Sequence, residues 1–306
     1  MVLPLALVFL TEPLYREPLY NESLTLAPEM QKRTSWKPTM LFVSDLGGFD
    51  AFKALLSLCF NLMPKPASLY FWCGIAFANF SLNQLKSAYA EPRPYWVSDE
   101  IVAANCSASF GNPSGHMLNS SFFWVSLYLH LFHDIGPQSQ RWASQFWRKN
   151  FIRHIMAVVG CVFLGLLATS RVYLGAHTLN EVLFGTIVGS TWAAIGHFKV
   201  KPFFLGLPGR LHSNEEEGKY AVDRWTYLKA LFGSLVVPMC VATLTLCIRH
   251  GEDEFYASGA FLTRLKHSGC RTDDMDPALT FHNMHFERSA IMALATGALF
   301  GQLFEH

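Results

Sequence analysis

Residues 154–170 read HIMAVVGCVFLGLLATS, and residues 178–198 read TLNEVLFGTIVGSTWAAIGHF. Each stretch approaches the length of about 20 mostly apolar residues that a membrane-spanning helix requires. The residues between them, RVYLGAH at 171–177, form a short connection that contains basic side chains. The pattern therefore predicts two spanning helices with a polar turn between them.

Stretches of the same kind recur along the chain. The poorest of them lies near the N-terminus, because Asp45, Asp50 and Lys53 interrupt it. The sequence predicts an all-α, polytopic transmembrane helical bundle with about seven spans. The predicted spans are about 40–62, 67–86, 116–133, 154–170, 178–198, 227–248 and 287–303.

Composition supports a membrane protein and excludes other classes. Hydrophobic residues make up 51% of the chain and charged residues only 15%, against roughly a quarter in an average soluble domain. The net charge of +1 gives no bulk attraction to nucleic acid. The seven cysteines show no metal-ligand spacing, so they do not indicate a zinc site. We also predict no cofactor.

The distribution of Lys and Arg among the loops predicts the orientation. Loops 134–153 and 199–226 are rich in these residues and should face the cytosol. Segments 87–115, 171–177 and 249–286 then lie on the opposite, lumenal side. We expect 1–306 to be a single integral membrane domain, with residues 1–38 as a non-spanning N-terminal segment.

Three polar segments fall on the predicted lumenal side, each at the end of a span. Basic side chains near a bilayer boundary are costly unless they are paired or hydrated, which makes them functional candidates. The fold can bring these segments together although they are distant in sequence. They are Lys86 to Pro94, Asn112 to His116, and Ser170 to Glu181.

The residue types in these segments suit a phosphate ester. Arg93 and Arg171 can donate two parallel hydrogen bonds to a phosphate, and Lys86 adds a point charge. Ser114 and Gly115 open a predicted helix, where free backbone N–H groups favour an anion.

Two histidines and one carboxylate complete a possible catalytic set. One of His116 and His177 can attack phosphorus, and the other can protonate the leaving oxygen. Glu181 lies four residues after His177, so it can orient the imidazole and stabilise its cation. The residues alone leave open which histidine has which role.

These segments resemble the three signature motifs of the type 2 phosphatidic acid phosphatase superfamily. Lys86 with Arg93-Pro94 resembles the first motif, Pro113 to His116 the second, and Ser170 to His177 the third. Glu181 stands where most members have Asp. The resemblance implies a catalytic core over about 67–200, in which His177 is the nucleophile and His116 the acid. Lys86, Arg93, Ser114, Gly115 and Arg171 would bind the phosphate, without a metal.

Within that superfamily, the local sequences at residues 93–97 and 170–177 are similar to those of glucose-6-phosphatase catalytic subunits. This similarity implies a phosphatase of the endoplasmic reticulum membrane with a lumenal site. It would hydrolyse glucose 6-phosphate through a phosphohistidine and depend on a sugar-phosphate transporter as partner. That family usually has nine spans, so the resemblance also implies that a C-terminal portion is missing here.

Two further expectations concern the lumenal loops. Asn105 lies in an Asn-x-Ser sequon and is a predicted glycosylation site. Cys106 and Cys270 are the only cysteines in lumenal loops, and they form either a disulfide or two free thiols.

Two other functions compete with a sugar phosphatase. A lipid phosphate phosphatase acting on phosphatidate or a sphingoid phosphate would use the same residues, with a site open to the bilayer. A non-enzymatic scaffold or transporter would keep the fold alone. The complete set of motif residues argues against this last possibility.

Overall fold

The structure, a computed structural model, describes residues 2–104, 106–107, 109–133 and 150–206, together with six single positions between 225 and 240. Within these residues the chain is all-helical and contains no strand, which confirms the predicted class. The helices are α1 (Val2–Gln31), α2 (Lys37–Leu46), α3 (Phe49–Leu62), α4 (Lys65–Tyr89), α5 (Pro94–Val97), α6 (Gly115–Phe132), α7 (Asn150–Tyr173), α8 (Leu179–Ile195) and α9 (Lys201–Gly206).

Helices α6 and α8 form the centre of the bundle and make its most extensive contact. Helix α4 packs on α6, α1 packs on α8, and α2 packs on α7. Aromatic and aliphatic side chains fill the space between α4, α6 and α8, and their burial supplies the main drive for this packing. The fully buried members of this core include Phe71, Leu118, Phe122, Phe184 and Val188.

Helix α7 contains the clearest candidate for a membrane span. In the described part of the chain, Phe151–Tyr173 alone is both long enough and apolar enough to cross a bilayer. Its 23 residues measure about 34 Å at 1.5 Å per residue, slightly more than the hydrocarbon thickness. Only 11% of its most apolar stretch is buried inside the protein, so its apolar face points outward.

The prediction of about seven spans is not confirmed. Helix α8 has 17 residues, which is shorter than a typical span. Helix α4 is long enough, but it carries polar side chains such as Asn79, Asn83 and Lys86 that are buried inside the bundle. The predicted spans 227–248 and 287–303 lie outside the residues whose placement the structure describes.

The single helix predicted over about 40–62 is wrong, because two shorter helices occupy that region. Helix α2 ends at Leu46 and α3 begins at Phe49, with Gly48 in extended conformation between them. Gly47 packs so closely on α7 that an added Cβ would lie 2.6 Å from the Leu167 side chain. The two glycines thus divide the segment where it meets α7.

The N-terminal segment is more ordered than its sequence indicates. Most of predicted segment 1–38 is the 30-residue helix α1, although Pro13, Pro18 and Pro28 lie inside it. Glu12, Ser23 and Ala27 are buried against the rest of the bundle. Whether this segment avoids the bilayer stays a prediction.

Candidate active site

The start of α6 is a polar region whose groups suit an anion. Ser114 is the residue before the first turn of α6, and its side chain is completely buried. Its Oγ has no hydrogen-bond partner within the described residues. Buried hydroxyls are normally paired, so an unpaired one at a helix N-terminus suits an anionic ligand.

Lys86 lies in the last turn of α4, and its side chain extends toward the segment that precedes α6. The chain turns sharply just beyond Lys86, because Ala90 adopts a left-handed conformation with φ 45°. The Lys86 ammonium donates hydrogen bonds to the carbonyls of Phe110 and Gly111, immediately before the α6 segment. These contacts hold the positive charge beside the segment that leads into α6.

Arg93 is fixed by backbone and hydroxyl acceptors on three sides. Its Nε donates to Ser109 O at 2.6 Å, and its Nη1 donates to Ala176 O at 2.8 Å. Its Nη2 donates to the hydroxyls of Ser107 and Ser109 at 2.9 and 2.8 Å. The Arg93 Nη1 atom also lies 3.5 Å from His177 Nε2. The guanidinium is therefore positioned beside that ring nitrogen before any ligand binds.

Arg171 lies at the end of α7, one turn before His177. A tight turn follows it, in which Gly175 has φ 67°, a conformation that side chains other than glycine rarely adopt. The Arg171 Nη1 donates to Ser44 Oγ at 2.5 Å, and its buried Nε has no partner in the described part of the chain. This nitrogen is available for an anion.

His177 and Glu181 form a direct pair. The distance from His177 Nδ1 to Glu181 Oε2 is 2.6 Å, and the Thr178 N–H also donates to that oxygen at 3.3 Å. A carboxylate beside Nδ1 requires the proton on that nitrogen, which leaves the lone pair on Nε2. Burial, followed by the charges of Arg93 and Lys86, holds the pKa of His177 well below its usual value. Both features favour a neutral imidazole with its lone pair on Nε2.

His116 lies in the first turn of α6 and is partly exposed. Lys86, Arg93 and Arg171 are close enough to interact electrostatically with both His116 and His177. The two histidines also interact with each other. The structure thus brings the two histidines and the three basic side chains of the predicted phosphate site into one cluster.

Backbone contacts connect the second and third motifs. The Ser114 N–H donates to the Glu181 carbonyl at 3.0 Å. Gly111 packs directly on the Glu181 carboxylate, where an added Cβ would lie 1.9 Å from Oε1. The His177–Glu181 pair and the N-terminus of α6 are consequently in direct contact.

Several residues that support the site were missed by the sequence analysis. Ser107 and Ser109 orient Arg93, Ser44 binds Arg171, and Asn180 donates to Glu91 Oε1 at 2.9 Å. No motif identifies these residues. The pair Gly185 and Gly189 did carry a signal, since small residues four apart allow two helices to approach closely.

We expect Gly189→Val to separate α6 from α8 and lower both stability and activity. An added Cβ at Gly189 would lie 2.2 Å from the Leu118 carbonyl oxygen and from Ser121 Oγ. Because one of these atoms is backbone, the contact cannot relax cheaply, and overpacking of this kind costs about 1–3 kcal/mol. Thermal unfolding of the detergent-purified protein measures the loss.

Gly165→Ala on α7 is the matched control, because an added Cβ there meets nothing within 4 Å. This variant should unfold at or above the wild-type temperature, since alanine is favoured over glycine in a helix. Equal unfolding temperatures for the two variants would contradict the close α6–α8 contact.

The glycosylation and disulfide predictions are only partly covered by the structure. Asn105 and Cys270 lie outside the described residues. Cys106 is disulfide-bonded, which agrees with a bridge in that loop. Pairing with Cys270 stays a prediction. Within the described residues, no group of three or more His, Cys, Asp or Glu side chains is arranged to hold a metal ion.

Two histidines, three basic side chains and a helix N-terminus therefore lie together in a helical bundle, an arrangement whose chemistry suits a phosphate. Residues 67–202 match the family model described as the PAP2 superfamily, and this range contains all three motifs. The match supports membership of this superfamily.

Curated relatives agree with this class. Lipid phosphate phosphatase delta from Arabidopsis thaliana is 27% identical over 47% of this chain and 36% of its own length. Lipid phosphate phosphatase gamma from the same plant is 25% identical over 62% of this chain and 72% of its own. Dolichyldiphosphatase 1 from Homo sapiens is 30% identical over 41% of this chain and 50% of its own length. The first of these alignments thus spans little more than a third of the relative.

A solved structure shares the fold. The transmembrane PAP2-type phosphatidylglycerolphosphate phosphatase of Bacillus subtilis aligns with a TM-score of 0.52 and 16% identity. The alignment covers 64% of this chain and 92% of the bacterial protein. These comparisons do not show the predicted closeness to glucose-6-phosphatase.

Proposed function

We propose that this chain is a membrane phosphatase that hydrolyses a lipid phosphate through a phosphohistidine intermediate. The observation that carries the proposal is the geometry of His177. Its Nδ1 is held by Glu181 at 2.6 Å, and its Nε2 faces Arg93 at 3.5 Å. This arrangement supports in-line attack by Nε2 on a phosphorus atom whose oxygens bind Arg93.

The proposed reaction has two steps. In the first, the Nε2 lone pair of His177 forms a bond to phosphorus while the bond to the leaving alcohol oxygen breaks. His116 donates its proton to that oxygen. In the second step, His116 removes a proton from water, whose oxygen attacks phosphorus and releases His177 and inorganic phosphate.

The cations and the helix N-terminus would stabilise the charge that develops on the phosphoryl oxygens. Lys86, Arg93 and Arg171 supply donors, and Ser114 with the Gly115 N–H completes the set. These donors are already positioned by protein contacts, so little reorganisation is needed during the reaction. The proposed chemistry needs no metal or organic cofactor, because these basic side chains neutralise the charge of the phosphoryl group.

Two observations favour a lipid over a sugar phosphate. The relatives are lipid phosphate phosphatases and dolichyldiphosphatases by name, so they support the lipid alternative better than glucose 6-phosphate. Arg171 also lies in the last turn of the outward-facing apolar helix α7. A phosphate bound there would sit near the level of lipid headgroups.

A substrate panel tests the lipid assignment. We expect the purified protein to release phosphate from phosphatidate or dolichyl diphosphate with kcat/KM at least about tenfold above that for glucose 6-phosphate. Orthovanadate, which mimics the five-coordinate phosphoryl state, should inhibit the release. A preference for glucose 6-phosphate would restore the sugar phosphatase hypothesis, with its transporter partner. Absence of any phosphate release or vanadate inhibition would favour a non-enzymatic protein.

The endoplasmic reticulum location and the lumenal orientation of the site belong to the same proposal. They rest on the distribution of Lys and Arg in the loops. The Cys106 disulfide supports them, because such bonds persist in oxidising compartments.

A further inference from the structure

Helices α1 and α2 contact the second and third motif segments, although both helices lie outside the range 67–202 that matches the family model. Ser23 of α1 is completely buried, and its Oγ accepts a hydrogen bond from the Leu179 N–H at 2.7 Å. Leu179 is the first residue of α8 and stands between His177 and Glu181. The hydroxyl thus satisfies a backbone donor that the helix itself leaves unpaired.

A second contact from α1 reaches the α6 segment. Glu12 is completely buried, forms an ion pair with Arg16, and accepts a hydrogen bond from Asn112 Nδ2 at 3.4 Å. Asn112 stands two residues before Ser114. The carboxylate therefore fixes the approach of the chain to the helix N-terminus.

A third contact joins two loops on either side of the site. Gln31, the last residue of α1, donates from Nε2 to the carbonyls of Val102 and Tyr173, both at 2.9 Å. Its Oε1 accepts from the Val102 N–H at 3.0 Å. Tyr173 lies between Arg171 and His177, so this amide holds the turn that connects them.

The fourth contact comes from α2. Ser44 is buried, and its Oγ accepts a hydrogen bond from Arg171 Nη1 at 2.5 Å. Arg171 Nε has no partner in the described residues. The hydroxyl therefore holds one nitrogen of the guanidinium and leaves another for the phosphate.

We propose that residues 12–44 are a positioning element of the active site, in which Ser23 holds the His177–Glu181 turn and Ser44 holds Arg171. This inference rests on the proposed function. It assigns to Ser23 and Ser44 a role through other residues, without contact with substrate. Neither lies in the three motifs.

The two contacts should affect different kinetic constants. Ser23→Ala removes the acceptor of the Leu179 N–H, so the nucleophile turn loosens and kcat should fall about fivefold or more, with KM little changed. Ser44→Ala frees the Arg171 side chain, so KM for the phosphate substrate should rise about tenfold, because hydrogen bonds to charged groups are the stronger ones. Ser44→Thr retains the hydroxyl and should restore most of the affinity.

Thr25→Ala is the matched control on α1. Its hydroxyl is exposed and bonds only within its own helix, to the Glu22 carbonyl at 2.9 Å. This variant should keep wild-type kinetics. Ser23 and Ser44 variants that match Thr25→Ala in kcat and KM would overturn the proposal.

Amide hydrogen exchange provides a readout that does not require turnover. Peptides covering residues 174–182 should exchange at least about tenfold faster in Ser23→Ala than in Thr25→Ala, because opening of the turn becomes easier. Unchanged exchange would overturn the proposal even if activity fell. A wild-type protein that releases no phosphate would contradict the proposed function, while the exchange result would still decide the positioning role.

Discussion

Replacing His177 with alanine is expected to abolish phosphate release, with a fall in kcat of at least about a thousandfold. The Nε2 atom of His177 is the proposed attacking atom, and alanine offers no substitute for it. The side chain is buried, but its partner Glu181 keeps the Thr178 N–H as a donor, so the fold should survive. Initial rates with the best substrate of the panel measure the effect.

His154→Ala is the control for this prediction. His154 is an exposed histidine on α7, and it should tolerate the change without loss of activity. A His177→Ala protein that keeps more than about a tenth of the wild-type rate would remove His177 from the role of nucleophile. Trapping of labelled phosphate on the wild type, but not on this variant, would identify the intermediate directly.

Glu181→Gln is expected to lower kcat by at least about a hundredfold, with little effect on stability. Glutamine has nearly the same shape, but it removes the negative charge beside His177 Nδ1. Without that charge, the imidazole is not stabilised as a cation when His177 carries the phosphoryl group. Steady-state kinetics and thermal unfolding of the same preparation separate the two effects.

Glu181→Asp tests geometry at constant charge. Aspartate is the residue that most members of the resembled superfamily have here, but it is one methylene shorter. Because the 2.6 Å contact to Nδ1 would lengthen, we expect a loss smaller than that of the glutamine variant. Full activity in Glu181→Gln would contradict the orienting role of the carboxylate.

The helices that carry the motifs were predictable from the sequence. The predicted span 116–133 corresponds to α6 (Gly115–Phe132), and 154–170 lies inside α7 (Asn150–Tyr173). Each of these segments is a long apolar stretch that ends in polar residues on at least one side. This pattern lies within the segment itself, so it can be recognised without knowledge of the tertiary structure. The number of spans was harder to predict, because polar residues buried inside a bundle look the same in sequence as polar residues that prevent a span.

The proximity of His177 and Glu181 was predicted correctly from an incomplete argument. A spacing of four suggested one face of a helix, but His177 precedes α8, which begins at Leu179. The two side chains meet because Thr178 turns the chain and Glu181 folds back on that turn. The same spacing is therefore compatible with two local geometries.

The supporting contacts could not be predicted, because they depend on tertiary structure. Ser23, Gln31 and Ser44 belong to no recognisable sequence motif. The prolines and charged residues of the N-terminal segment are also untypical of a helix, so helix α1 was not predicted. Ser107 and Ser109 belong to an irregular loop that accepts hydrogen bonds from Arg93. Only the folded chain shows that these ordinary polar residues face functional ones.

The close approach of α6 and α8 at Gly185 and Gly189 restricts how the site can admit its substrate. An added Cβ at Gly185 would lie 2.7 Å from the Ser114 carbonyl oxygen. The backbone of α8 is therefore in close contact with the backbone at the start of α6, beside the proposed phosphate site. The two helices should therefore move as a single block that carries Ser114, His116 and Glu181. Under the proposed function, the motions that admit a lipid substrate and release its product should then occur in the segments that bear Arg93 and Arg171, and not between α6 and α8.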